Sequence, residues 1–142
     1  MLESPNECLR KGSAILDPVL CKYGFEFKWG GSGHSSGGPF AFGSFVNGDR
    51  RLELHFRHSL GLVEYHFGKL SLDHESYMRV VLPAGGNHYP GFSEKPEAQF
   101  EDLKFDFEHF ADVFLLENAE EFSRCADGAK EWKSKQGFSR LL

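Results

Sequence analysis

Hydrophobic side chains recur along the chain with two periods, and the switches between them divide it into elements. In residues 6–21, Leu9, Ile15, Leu16, Val19 and Leu20 keep helical spacing. Asn6 is the expected N-cap, and Pro18, which lacks an amide donor, is expected to kink this helix or begin a fresh turn. Gly24 turns the chain into Phe25, Phe27 and Trp29, which alternate with Glu26 and Lys28 as a half-buried strand does. The run GGSGHSSGG (30–38) has five glycines in nine residues and predicts a mobile connection to a second strand at 40–46. Asn47-Gly48 supplies a hairpin turn, after which 51–58 and 62–67 read as the third and fourth strands.

Parity fixes which sides of these strands meet. Leu52, Leu54 and Phe56 share one side of the third strand; Val63, Tyr65 and Phe67 share one side of the fourth. With Leu60-Gly61 in the turn, the two apolar sides coincide when Phe56 faces Tyr65 and Leu54 faces Phe67. That register also sets Arg57 against Glu64 and His55 against His66. Around the Asn-Gly turn the same logic pairs Phe45 with Leu52 and Gly43 with Leu54. The outward side then gathers Phe40, Phe42, Ser44 and Val46 beside Glu53, His55 and Arg57.

Ser71-Leu72-Asp73 carries capping chemistry for a short helix, 74–82, with Tyr77, Met78 and Val81 inward and Pro83 as its stop. The loop 83–96 is rich in turn residues and carries three rings, His88, Tyr89 and Phe92. Such a loop is either pinned to the core or used for recognition. Ser93 and Pro96 open a strong helix, in which Phe100, Leu103, Phe107, Phe110 and Phe114 form one apolar stripe. Glu97, Glu101, Glu108 and Asp112 lie on another. Asn118 caps a last helix to about residue 135, with Phe122, Cys125, Ala129 and Trp132 inward and Gly137 at its end. The pattern predicts an α+β fold of one domain over 1–142: an N-terminal helix, a four-stranded antiparallel meander sheet, and C-terminal helices packed on one face.

Charge sharpens this picture more than composition does. The net charge is −5, which argues against nucleic acid as a partner. Residues 94–121 alone carry ten acids against Lys95 and Lys104, a net of −8. One acidic face is therefore expected, either a plain solvated surface or a docking surface for a basic partner. Three cysteines without a CxxC pair suggest neither a disulfide framework nor a zinc knuckle. No apolar run is long enough to span a membrane, and the first 20 residues lack a signal-peptide layout. A cytoplasmic protein with no membrane partner is the expectation.

Candidate chemistry is thin. His55 and His66, with Glu53 and Glu64 close by, invite a metal reading, but no HExxH-like spacing supports it and Arg57 would place a positive charge beside the ion. The glycine run lacks the GK[ST] of a phosphate loop and leads to a strand rather than to a helix. Cys8 and Cys125 fall at inward helical positions, where a thiol packs as a small hydrophobe. There is no GxSxG, and a Ser35 or Ser36 with His34 would be badly held on a mobile loop. No cofactor and no catalytic residue is expected. The candidate binding residues are Phe40, Phe42, His55, Arg57, Glu64 and His66 on the sheet, His88, Tyr89 and Phe92 on the loop, and Glu97, Glu101, Glu108 and Asp112 on the acidic helix.

The runs ILDPVLCKYGFEF, RRLELHFRHSLGLVEYHFG and LDHESYMRVVL followed by HYPGF resemble small bacterial proteins, some of them similar to immunity proteins of polymorphic toxin systems. The likeness covers most of 13–116, and its motifs are structural. It implies a cytosolic, non-enzymatic protein that blocks a cognate toxin by binding it, a role the acidic block suits if the toxin is a basic nuclease. The alternative is a small-molecule or metal-binding enzyme using His55, His66, Arg57 and Glu64 on the open sheet face.

Overall fold

The computed structural model describes residues 4–91 and 95–141. The order is α1 (Pro5–Leu20), a 3-10 turn (Cys21–Tyr23), β1 (Glu26–Ser35), β2 (Gly38–Asn47), β3 (Arg50–Phe56), β4 (Leu60–Phe67) and β5 (Leu70–Asp73). After these come α2 (His74–Val81), α3 (Pro96–Phe110), α4 (Asp112–Leu115) and α5 (Ala119–Leu141). The fold is α+β, with an antiparallel sheet in the simple order β1-β2-β3-β4-β5.

The sheet thus has five strands where four were expected. Leu70 and Leu72 alternate with Ser71 and Asp73, and this short run pairs with β4 before Asp73 caps α2. The glycine run is not a loose connection either. Gly33 lies opposite Phe40, and a Cβ on Gly33 would come 2.8 Å from the Phe40 ring; one on Gly43 would come 2.6 Å from the Phe27 ring. The glycines let phenylalanines on the neighbouring strand lie flat across the backbone, so the segment folds as a long hairpin with its turn at Ser36-Gly37.

The β2–β3 register is the expected one, with Phe45 opposite Leu52 and Gly43 opposite Leu54. The β3–β4 register is not. Leu52 faces Tyr65, Leu54 faces Val63, His55 faces Leu62 and His66 faces Arg51. The turn occupies 57–59 instead of Leu60-Gly61, and a one-residue irregularity at His55/Phe56 fits this three-residue connection to the strand register. Parity survives a shift by an even number of residues, so Leu52, Leu54, Phe56, Val63, Tyr65 and Phe67 still share one buried side. What the shift removes is the direct apposition of His55 with His66 and of Arg57 with Glu64.

The helices cover that buried side. Ser4 rather than Asn6 caps α1, its hydroxyl accepting from the Glu7 amide at 3.3 Å, and Pro5 follows at the first helical position. The helix runs on through Pro18, which is exposed. The long phenylalanine stripe is split: Phe100, Leu103 and Phe107 belong to α3, Phe114 to α4, with a break at Ala111. Ser93 lies outside the described residues, and Lys95 occupies the cap position of α3. Asn118 caps α5 through the Glu121 amide, and Phe122, Cys125 and Ala129 are buried as expected. The placement of the Trp132 side chain lies outside the described residues. The helix passes through Gly137 to Leu141 instead of stopping there.

Two devices join the layers. Gly12 on α1 lies flat against the Phe100 ring of α3, where a Cβ would overlap all the nearest ring carbons. On the other side of the core, buried Arg50 donates from Nη1 to the carbonyls of Phe114 and Leu115, each at 2.8 Å, and its guanidinium sits 4.8 Å from the Phe25 ring centroid. The buried carbonyl end of α4 and an aromatic face stand in for a carboxylate partner.

Gly12→Ala tests the first contact. Alanine gains up to ~1 kcal/mol in helix propensity, but overpacking against a rigid ring costs about 1–3 kcal/mol. The variant is expected to unfold at lower denaturant than the parent, and Phe100→Leu in the same chain should recover part of the loss.

Candidate functional site

The expected binding residues fall on two opposite surfaces. Phe40, Phe42, His55, Arg57, Glu64 and His66 occupy the side of the sheet away from the helices. His88, Glu97, Glu101, Glu108 and Asp112 lie on the helical side, all exposed. Phe92 lies outside the described residues.

On the open sheet face Glu53 and Glu64 are directly opposite each other, and Asp73 stands opposite Glu64 on the next strand. Like charges in such positions repel. Cationic and imidazole groups surround them: Arg51 Nη2 is 3.2 Å from Glu53 Oε1, and His55 Nε2 is 3.2 Å from Glu53 Oε2. His66 Nε2 lies 3.1 Å from Glu64 and 3.9 Å from Glu53, without a well-aligned hydrogen bond to either. The two histidines therefore meet through Glu53, not face to face. Among the described residues no group of three or more His, Cys, Asp or Glu is arranged to hold a metal ion. Farther along the same face, His55 stacks on Phe42 at 5.3 Å and Arg57 lies 5.6 Å from the Phe40 centroid.

The loop before α3 is pinned. Asp106, fully buried on α3, accepts from the His88 amide (2.7 Å, Oδ1) and the Tyr89 amide (2.9 Å, Oδ2). Its Oδ2 also lies 2.9 Å from His74 Nε2, and His74 Nδ1 lies 2.6 Å from the Tyr65 hydroxyl. One tautomer satisfies every member: Nε2–H donates to Asp106, and Nδ1 accepts from Tyr65. Tyr89 is buried, and its hydroxyl donates to the Leu60 carbonyl at the start of β4. Its ring therefore serves the core and is not presented for recognition. His88 is exposed and lies flat on Phe105 with centroids 3.6 Å apart, and His109 stacks on the other side of Phe105 at 4.1 Å.

No family model matches this chain, and no curated protein or solved structure does.

Tyr65, His74 and Asp106 form a line of hydrogen bonds of the kind that moves protons in enzymes, and all three side chains are buried. What the line does is supply a buried carboxylate with three donors, which an unpaired buried charge requires. Sequence reasoning missed it, although the signals were there. Asp106 sits among Leu103, Phe107 and Phe110 on the apolar arc of its helix, and His74 continues the inward parity of Leu70 and Leu72. A polar residue at a core position must bring its partners with it.

The thiols fit the structural reading made of them. Cys8 and Cys125 are buried, and Cys21 is exposed at the end of α1. Burial, reinforced by Glu121, pushes the Cys125 thiol up, away from the thiolate that nucleophilic chemistry needs.

Asp106→Asn should cost ~3 kcal/mol or more, because an amide presents a donor where three N–H groups converge. A double-mutant cycle with His74→Ala is expected to show coupling of about 1–3 kcal/mol in denaturant unfolding; additive losses would show that the carboxylate and imidazole act separately. Alkali gives a second test. Burial raises Tyr65 and Tyr77 well above the ordinary tyrosine range and pushes Tyr89 up to about 12. These groups hold their protons in the folded chain and release them nearer 10 when unfolded, so their contribution is complete below pH ~10 and is lost as pH climbs through 12. Denaturant midpoints should fall steeply across that window, with tyrosinate absorbance appearing together with unfolding.

Proposed function

We propose that this chain acts by binding rather than by catalysis, presenting its acidic helical surface to a basic protein partner in the manner of an immunity protein that neutralises a toxin. The observation that carries the reading is the corner between α4 and α5. Leu116 is 64% exposed, the most exposed large apolar side chain among the described residues. It sits in an open depression lined also by Asp112, Val113, Glu117, Asn118, Ala119 and Glu120. An apolar anchor inside an acidic rim matches the usual anatomy of an interface, a desolvated centre with charge around it. The exposed Glu101 and Glu108 of α3 extend the same sign of charge, while Glu97 lies 3.9 Å from Lys11 and Glu121 3.0 Å from Arg124. Such a field speeds encounter with a cationic surface and weakens with salt. No helix among the described residues is long and apolar enough to cross a membrane.

Co-expression with the product of a toxin-like reading frame adjoining the gene tests this. The chain is expected to restore growth, and its affinity for that product should fall at least about ten-fold between about 50 and 300 mM salt. Leu116→Ala combined with Glu108→Lys and Asp112→Lys should abolish both effects while leaving thermal unfolding close to that of the parent. If the altered chain protects as well as the parent, the acidic surface is not the interface.

A further inference from the structure

At one end of the open sheet face two hairpin tips are braced against each other. Arg57 Nη2 donates to Ser35 Oγ at 2.7 Å, and His58 Nε2 lies 3.2 Å from the Gly37 carbonyl. Gly37 makes this possible, because a Cβ there would collide with the guanidinium. Beside the brace lies a depression of about 450 Å³, lined chiefly by Phe40, His55, Arg57, His58, Ser59 and Leu62. No carboxylate among the described residues lines it. Arg51 and Arg124 are ion-paired, whereas Arg57 has no acidic partner among the described residues.

We infer that this cleft is a binding site for a small aromatic carboxylate. The inference is independent of the acidic-surface reading, since the two sites lie on opposite sides of the sheet and attract opposite charges. Three features select the ligand. First, Arg57 is an unneutralised cation whose fork suits a planar carboxylate, and Ser35 and the Phe40 ring already hold it, which lowers the entropy lost on binding. Second, the walls are mostly ring and aliphatic surface: Phe40, Leu62, and the His55 ring backed by Phe42. A flat apolar body fits them, and a bare ion would leave them wet. Third, the volume suits a small molecule, and the hairpin tips bound it on one side. The floor is fixed from beneath, since the Leu60 amide donates to Gln99 Oε1 at 2.8 Å and the Leu60 carbonyl accepts from Tyr89.

Titration of the isotope-labelled full chain with phenylacetate, followed by amide chemical shifts, tests the assignment. Benzyl alcohol serves as the uncharged analogue and inorganic phosphate as the bare anion. Saturable shifts are expected in residues 35–42 and 55–62, with a Kd of about 1 mM or tighter. Benzyl alcohol, phosphate, Arg57→Gln and Phe40→Ala should each be at least about ten-fold weaker. Arg51→Gln, on the same face outside the cleft, should bind like the parent. Thermal unfolding of each variant establishes that it is folded. The assignment is overturned if phenylacetate gives no saturable shift up to about 10 mM, if Arg57→Gln binds it unchanged, or if phosphate binds as tightly as phenylacetate.

Discussion

A carboxylate with no exposure to water, Asp106, is the constraint that the rest of the structure accommodates. In place of a basic side chain, it has two backbone amides and one imidazole, and these come from separate parts of the chain. His74 opens α2, His88 and Tyr89 belong to the loop before α3, and Asp106 stands on α3 itself. Satisfying one charge therefore fixes the path of a loop that has no regular structure. The effect reaches the sheet twice, through Tyr65 at the far nitrogen of His74 and through the Tyr89 hydroxyl on Leu60. Of the two rings of this loop that are described, Tyr89 serves the core and His88 faces outward.

The sheet separates two unlike chemistries. On its helical side Arg50 is buried against carbonyls and a ring, and beyond the helices the surface is acidic. On its open side, acids in the middle strands are held by Arg51, His55 and His66, and cationic and aromatic groups gather at the hairpin tips. The histidines that suggested a metal centre are better understood as partners for carboxylates forced together by strand pairing. Arg57, at the edge of this face, has no acidic partner among the described residues.

Much of the fold was legible because periodicity reports burial. The inward residues of β2, β3 and β4, Phe100, Leu103 and Phe107 of α3, and Phe122, Cys125 and Ala129 of α5 were readable from spacing. Parity survived even where the β3–β4 register was wrong, because sliding a strand by an even number of residues keeps each side chain on its side. The error lay in the turn: Leu60-Gly61 looks like a tight connection, but Leu60 is buried and pairs with Phe56, so the chain reverses two residues earlier. The glycine run was misread because glycine-rich composition usually signals freedom, and here it signals contact. The acidic helix was visible as charge, and parity placed Phe40, His55 and Arg57 on one side, but the Arg57 brace was not legible, since it joins hairpin tips more than twenty residues apart in sequence. The Asp106 network was hidden for a different reason: a polar residue on an apolar stripe is easily taken for noise.

The flat packing of rings on glycines has a consequence for how this hairpin can change. Phe40 occupies the space that a side chain at residue 33 would need, and Phe27 does the same for residue 43. Neither member of such a couple can drift alone: a larger residue in place of the glycine is blocked while its ring remains, and a smaller residue in place of the ring leaves bare backbone in a strand. Substitutions here are expected to arrive in matched pairs, so that in any set of related chains the hairpin should vary by exchange across strands rather than residue by residue.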